Sequence, residues 1–210
     1  MVAREAPNQV TSRGPEQIMA DQPNDDADLL RQSMQGNLAA FNALYERYQR
    51  RIFRFAWHMS ESSDIAEEIT QEVFMHLIKA PNRYDPAKGS VAGYLFGMAR
   101  NLTRRTMQQT PQHLPITEEL LEAGEEGVIA DFDVFSQLNQ MELVASLRKV
   151  VLSLPEPYRE VLVLRDLEQM GHRETADLLQ CSMGTVASRL HRARSLLKMR
   201  LTALGVKNER

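Results

Sequence analysis

Residues 147–201 read LRKVVLSLPEPYREVLVLRDLEQMGHRETADLLQCSMGTVASRLHRARSLLKMRL, and the punctuation of this stretch decides the fold. Breaks at Leu154 to Pro157, around Gln169 to His172 and at Gln180 to Gly184 separate runs whose apolar residues recur every three or four positions, predicting four helices. The last two are joined by about four residues, which is helix-turn-helix spacing. In the final helix Val186, Leu190, Ala193 and Leu197 fall at i, i+4, i+7 and i+11 and form the buried seam. The outward set is then Ala187, Ser188, His191, Arg192 and Ser195, flanked by Arg189 and Arg194. Hydroxyls, imidazole and guanidinium on one face suit groove edges and phosphates, because arginine reaches guanine bidentately and serine is short enough for close approach. Helical hairpins with outward arginines also occur in proteins that never meet DNA, so spacing alone leaves both readings open.

The preceding block is helical as well. Between 38 and 59, Phe41, Leu44, Tyr45, Tyr48, Ile52, Phe55, Ala56 and Met59 mark one buried face. Arg47, Arg50, Arg51 and Arg54 keep the same spacing opposite, as either a solvated face or a polyanion surface. The stretch SSDIAEEITQEVFMHLIKAP (62–81) carries Asp64 three residues before Glu67, a variant of the capping box, and ends at Pro81. Its Ala66, Ile69, Val73, Leu77 and Ala80 share a face, leaving Glu68, Gln71, Glu72 and Met75 for a partner. NRYDPAKGS (82–90) is a loop, followed by the helix VAGYLFGMARNLTRRTMQ (91–108), apolar early and basic late.

Charge alternates along the 210 residues although the net charge is only -3. Residues 1–28 hold 2 basic and 6 acidic groups, 29–110 hold 11 and 7, 111–140 hold 0 and 7, and 141–210 hold 12 and 8. Two basic blocks thus flank an acidic one. With its prolines, glycines and lack of helical period, 111–140 reads as a linker. Pro7, Pro15 and Pro23 and few large apolar residues make the first 25 or so residues a disordered arm. The expected organisation is an arm over 1–26, a helical domain over 27–108, an acidic linker over 109–140, a helix-turn-helix domain over 141–204 and a tail over 205–210. The fold class is all-α, in two small helical domains.

Composition narrows the function further. The chain is 43% apolar and 25% charged, as in ordinary globular proteins. No apolar run approaches the roughly 20 residues that cross a bilayer, and the N-terminus lacks a secretory signal, so a cytoplasmic location is expected. The single cysteine, Cys181, excludes an intrachain disulfide framework and reads as a small buried apolar residue. Phosphate-cradling glycine motifs, a nucleophile elbow and paired metal ligands are absent from the sequence. His58, His76, His113, His172 and His191 show no HxxxH or HExxH spacing. No catalytic residue, metal or cofactor is expected, and the chain does not read as an enzyme.

Several stretches in order carry a resemblance. LLRQSMQGNLAAFNALYERYQRRIFRFAWHM (29–59), DIAEEITQEVFMHLI (64–78) and RYDPAKGSVAGYLFGMARN (83–101) resemble region 2 of bacterial extracytoplasmic-function (ECF) sigma factors of the sigma-70 family. LSLPEPYREVLVLRDLE (152–168) through MGTVASRLHRARSLL (183–197) resembles their region 4. The likeness covers about two-thirds of the chain. It implies that Glu68, Gln71 and Glu72 dock on the coiled coil of the polymerase beta-prime subunit. The loop and following helix would capture the opened single strand of the minus-ten element with Arg83, Tyr84, Lys88, Ser90, Tyr94, Arg100 and Asn101, with Arg104 and Arg105 on the phosphates. Unstacked bases need aromatic or apolar walls and the strand needs cations, and these residues supply both. The competing reading makes the tyrosines core aromatics and the arginines solubilising charges.

The same resemblance makes the last helix the reader of the duplex minus-thirty-five element through Thr185, Ala187, Ser188, Arg189, His191, Arg192 and Arg194. Leu154, Tyr158 and Leu162 would offer an apolar dock for the beta flap. It further implies RNA polymerase core, duplex and single-stranded promoter DNA and an anti-sigma factor as partners, with the acidic linker threading the polymerase. Departures are Ala187 in place of a usual basic residue, Gly171 for a serine cap, Gln180 for the glycine of the turn, Tyr94 for a tryptophan and Gly97 for a frequently basic site. The runner-up reading is a two-domain helix-turn-helix regulator that does not join polymerase, and a third is a protein-binding helical adaptor.

Overall fold

The structure, a computed structural model, describes residues 23–60, 62–79, 83–109 and 140–203. Regular structure among them is helical throughout: α1 Pro23–Met34, α2 Leu38–Met59, α3 Ser63–Lys79, α4 Val91–Gln109, α5 Gln140–Leu152, α6 Glu156–Leu162, α7 His172–Leu179 and α8 Met183–Ala203. A 3-10 turn, Pro86–Lys88, precedes α4, and a π-helical turn, Val163–Leu167, extends α6. The expected arm before Pro23 and the acidic linker over 110–139 lie outside the described residues, as does Ala80.

Helices α1 to α4 form the N-terminal domain. Asn37 starts α2, its side-chain oxygen accepting from the Ala39 and Ala40 amides at 3.0 and 3.2 Å, which satisfies two of the amides that a helix start leaves unpaired. The predicted face of α2 is buried at Leu44, Tyr48, Ile52, Phe55, Ala56 and Met59, whereas Tyr45 stays partly exposed and stacks its edge on Phe74. Phe55 meets Phe96 of α4 edge to face at 5.6 Å, fixing how α2 and α4 cross.

Two boundaries differ from expectation. The cap of α3 is Ser62, whose hydroxyl accepts from the Asp64 and Ile65 amides at 3.1 and 3.4 Å; Asp64 lies inside the first turn, where its charge favours the positive end of the helix. Helix α1 begins at Pro23, so the expected arm boundary at 26 falls within it. Proline is tolerated in a first helical turn, and Asp26 in that turn bonds to Arg47 and the Tyr48 hydroxyl.

The C-terminal domain follows the predicted punctuation. Leu154 and Pro155 separate α5 from α6, and Pro157 occupies the first turn of α6. In α8, Val186, Leu190 and Ala193 are buried and Leu197 is half-buried. The turn before it relies on Gln180 in the left-handed conformation, φ 54°, and on the Ser182 hydroxyl, which accepts from the Thr185 amide at 3.0 Å. Cys181 is half-buried against the core. The two domains pack on each other, their buried apolar residues forming one continuous cluster.

Candidate nucleic-acid and polymerase interface

The loop before α4 is built by short-range polar contacts. Asp85 accepts from the Ala87 amide at 3.0 Å, the Tyr84 hydroxyl donates to the Gly89 carbonyl at 3.1 Å, and the Ser90 hydroxyl caps α4 by accepting from the Gly93 amide at 2.9 Å. Gly89, at φ 146°, closes a turn that a side chain would strain. The Tyr84 and Tyr94 rings lie 5.5 Å apart and tilted, half-buried at the core's edge. Their outer parts therefore form a small aromatic wall beside exposed Arg83 and Lys88. Burial pushes both phenols up, so they remain neutral hydrogen-bond donors at neutral pH.

Further along α4, Arg100, Asn101, Arg104 and Arg105 occupy adjacent positions one turn apart. Asn101 and Arg105 are exposed. Arg100 and Arg104 are engaged by acids of α6. The Arg100 guanidinium forks onto the Glu160 carboxylate at 2.8 and 3.2 Å, and Arg104 meets Glu156 at 2.8 Å and Glu160 at 3.5 Å. The Ser90 hydroxyl also donates to Glu174 of α7.

Within the arginine stripe on α2, Arg50 is exposed while the other three meet acids. Arg47 pairs with Asp26, while Arg51 and Arg54 both bond Glu168. Glu168 follows the π turn, and its side chain is wholly buried. Glu156, Glu160, Glu168 and Glu174 were not legible as site residues, because their partners lie 52 to 117 positions away and no local pattern registers such pairs. The nearest signal was the excess of arginine over local acid in the first basic block.

On α8, Ala187, Ser188, His191 and Arg192 are exposed, with Thr185 and Arg189 half-buried. Thr185 exchanges a hydroxyl contact with Ser182 at 2.9 Å, and Ser188 donates to the Thr185 carbonyl at 3.1 Å. Arg192 donates to the Tyr158 hydroxyl at 3.4 Å. Arg194, also in the expected reading set, forks onto Asp166 at 2.9 and 2.6 Å, bracing α8 against the end of the π turn.

Glu68 and Gln71 are exposed on α3, and Glu72 is half-buried. Beside them a cleft of about 360 Å³ opens between α2 and α3, lined by Tyr45, Gln49, Arg50, Phe53, Glu67, Thr70 and Gln71. Met75 and Ile78 add exposed apolar surface on the same helix. The expected flap dock is corrected here. Leu154, Tyr158 and Leu162 are 2, 8 and 3% exposed and belong to the apolar cluster that also holds Val186, Leu190 and Ala193 of α8. Among the described residues no group of three or more His, Cys, Asp or Glu could hold a metal ion, and no helix is long and apolar enough to cross a membrane.

An aromatic-walled loop with a basic helix thus lies in one helical domain and a helix-turn-helix in the other. Comparison with known proteins places the chain more closely. The family model for sigma-70 region 2 matches residues 44–110, and that for sigma-70 region 4 matches 145–197. The ECF RNA polymerase sigma-E factor of Haemophilus influenzae is 30% identical over 194 residues, 89% of this chain and all of that protein. ECF sigma factor SigM of Bacillus subtilis is 30% identical over 166 residues, covering 79% of this chain and 97% of its own. The solved structure of CnrH in complex with the cytosolic domain of CnrY superposes with a TM-score of 0.64 at 22% identity, over 86% of this chain and 99% of that one. The sigma factor RpoE of Bartonella quintana, solved with the anti-sigma factor NepR, gives 0.58 at 19% identity, over 77% and 96%. The chain belongs to the sigma-70 family, in its ECF group of RNA polymerase sigma factors.

Proposed function

We propose that the chain confers promoter recognition on core RNA polymerase by dividing the work between its domains. Tyr84 and Tyr94 wall an unstacked base of the minus-ten strand, with Arg83, Lys88, Ser90, Arg100 and Asn101 around it and Arg104 and Arg105 on the backbone. The α8 face reads the duplex minus-thirty-five element through Ser188, Arg189, His191 and Arg192. The observation that carries this reading is the aromatic pair at 5.5 Å beside the cations of α4, in the same domain as the α2–α3 cleft. A regulator that binds only duplex DNA has no use for such a site.

The α2–α3 cleft, lined by Gln71, together with Glu68 and Glu72 on the same helix, is the surface for the beta-prime coiled coil, and Met75 and Ile78 extend it. An anti-sigma factor that covers this same surface would silence the chain; two of the structural neighbours were solved with partners of that kind or with a partner's cytosolic domain. RNA synthesis itself belongs to the polymerase, and the chain works in the cytoplasm, on the nucleoid. Replacing the seven acids of 111–140 with serine and glutamine tests whether the linker enters the polymerase channel, through promoter escape.

Transcription reconstituted from core polymerase, the purified chain and genomic DNA tests the whole reading. Defined RNA 5′ ends are expected, and mapping them yields both promoter elements. A failure to start RNA at any discrete site would overturn it.

A further inference from the structure

We infer that Gly97 is a specificity-determining residue, its missing side chain leaving a seat in α4 for one unstacked nucleobase between Tyr94 and Asn101. The inference rests on the assignment of the Tyr84–Tyr94 wall to the minus-ten strand and names the position that lets a base settle against it.

Helix α4 carries two glycines one turn apart, Gly93 and Gly97. Glycine inside a helix lowers its stability relative to alanine, because the unfolded chain gains freedom and no side chain packs. Packing accounts for the first of the two. A Cβ on Gly93 would lie 3.3 Å from the Ser90 Oγ and 3.6 Å from the Glu174 carboxylate, so this glycine lets the Ser90 cap and α7 come close. A Cβ on Gly97 would meet no atom within 4 Å. Its backbone is not in the left-handed region either, so neither packing nor conformation calls for glycine there.

The open space lies where a base against Tyr94 would go. With 3.6 residues per turn, Tyr94, Gly97 and Asn101 fall within about 60° of one another around the helix. Gly97 is about 4.5 Å along the axis from Tyr94, and Asn101 about 6 Å further. Stacked bases are spaced by about 3.4 Å, so a base on the Tyr94 ring sits over Gly97, in the volume that a side chain would take. Side chains on a helix all tilt towards its N-terminus, and the order is kept. Tyr84 steadies the wall: its hydroxyl is spent on the Gly89 carbonyl at 3.1 Å, and its ring lies 5.5 Å from that of Tyr94. Asn101 stands at the far end, exposed, its amide making no hydrogen bond among the described residues. That amide offers a donor and an acceptor to a base edge. The floor between is helix backbone whose polar groups are already paired, so the seat is apolar below and selective at its rim. Gly97→Ala would lift the base by the depth of a methyl group and carry its edge away from Asn101.

The test uses core polymerase bound to the wild-type chain or to Gly97→Ala, with fluorescein-labelled single strands carrying the minus-ten element of a mapped promoter. An abasic nucleotide is placed at each position in turn, and the position whose missing base costs wild type most marks the seated base. We expect Gly97→Ala to be at least as stable as wild type in urea, yet to bind the intact strand about 10-fold more weakly. Preference among the four bases at the marked position should fall by a similar factor. On the strand lacking the seated base the two proteins should bind alike, since the methyl then displaces nothing. Intact-strand binding by Gly97→Ala equal to wild type, with a clear abasic effect in wild type, would overturn the inference alone. An equal loss on intact and abasic strands would do the same, by placing the effect in the helix rather than in the base, and so would a lower urea midpoint. If no abasic position weakens wild-type binding, no base is seated, and the strand assignment falls together with the inference.

Discussion

Single residues carry two stability signatures. Gln180 adopts the left-handed conformation without glycine's freedom, at a cost of about 1 kcal/mol. Gln180→Gly should therefore raise stability by somewhat less than that, read as a higher urea midpoint, since glycine also loosens the unfolded chain. His58 is the second. Burial, then the Arg148 and Arg54 cations, push its imidazole down to about 4, and its Nδ1 is buried without a hydrogen-bond partner among the described residues. The unfolded chain takes up this proton near 6.5 and the folded chain near 4, so the unfolded state binds more protons between those values. Stability contributed by neutral His58 is complete above about pH 6.5 and falls by about 2 kcal/mol towards pH 4, after allowance for partial exposure. His58→Gln should flatten that part of the stability curve. Urea unfolding at a series of pH values measures both.

Helix α8 shows how one element divides its labour. Its buried seam docks on α6 and α7, Arg194 braces it against Asp166, and the face left over is the one proposed to read DNA. Arg192→Ala should lower discrimination among minus-thirty-five sequences by about 1–3 kcal/mol if the guanidinium swings from Tyr158 to a base edge. Competition binding with variant promoters measures it, and an unchanged preference would count against that role. Arg194→Ala should instead lower the stability of the C-terminal domain and leave sequence preference intact. In α4 the division runs along the helix. Asn101→Ala should impair open-complex formation more than duplex binding, and equal losses in permanganate footprinting and closed-complex binding would contradict it. Asn37→Ala at the start of α2 should cost about 1 kcal/mol of stability through the lost cap, with no change in promoter preference.

At the scale of the molecule, the two domains share an apolar junction crossed by ion pairs, some buried, as at Glu160 and Glu168, and some reaching solvent. Arg51 lies over the Phe96 and Tyr48 rings while bonding Glu168, so one side chain joins an aromatic core to the opposite domain. A cleft of about 210 Å³ remains there, between Arg51, Ala92 and the Glu168–Met170 corner. Ion pairs at such a junction weaken with salt where they reach solvent, as Arg54 and Arg104 do. Trp57 of α2 lies under the Arg148 guanidinium of α5 at 4.4 Å, so raising ionic strength should shift its emission to the red before global unfolding begins. Emission unchanged up to the unfolding transition would mean that apolar contacts alone hold the junction.

The amino-acid sequence by itself determined the helices and most of their limits, because apolar period, proline and glycine breaks and capping side chains act over a few residues. The seam of α8 and the buried face of α2 are examples, each set by a repeat visible within one helix. Tertiary structure alone decided which charges meet. Glu160 and Glu168 are ordinary surface acids by local pattern, and Leu154, Tyr158 and Leu162 an ordinary apolar trio; only packing of distant helices buried all five. A pairing across 60 or 114 positions depends on where the chain returns in space, and no short-range rule encodes that.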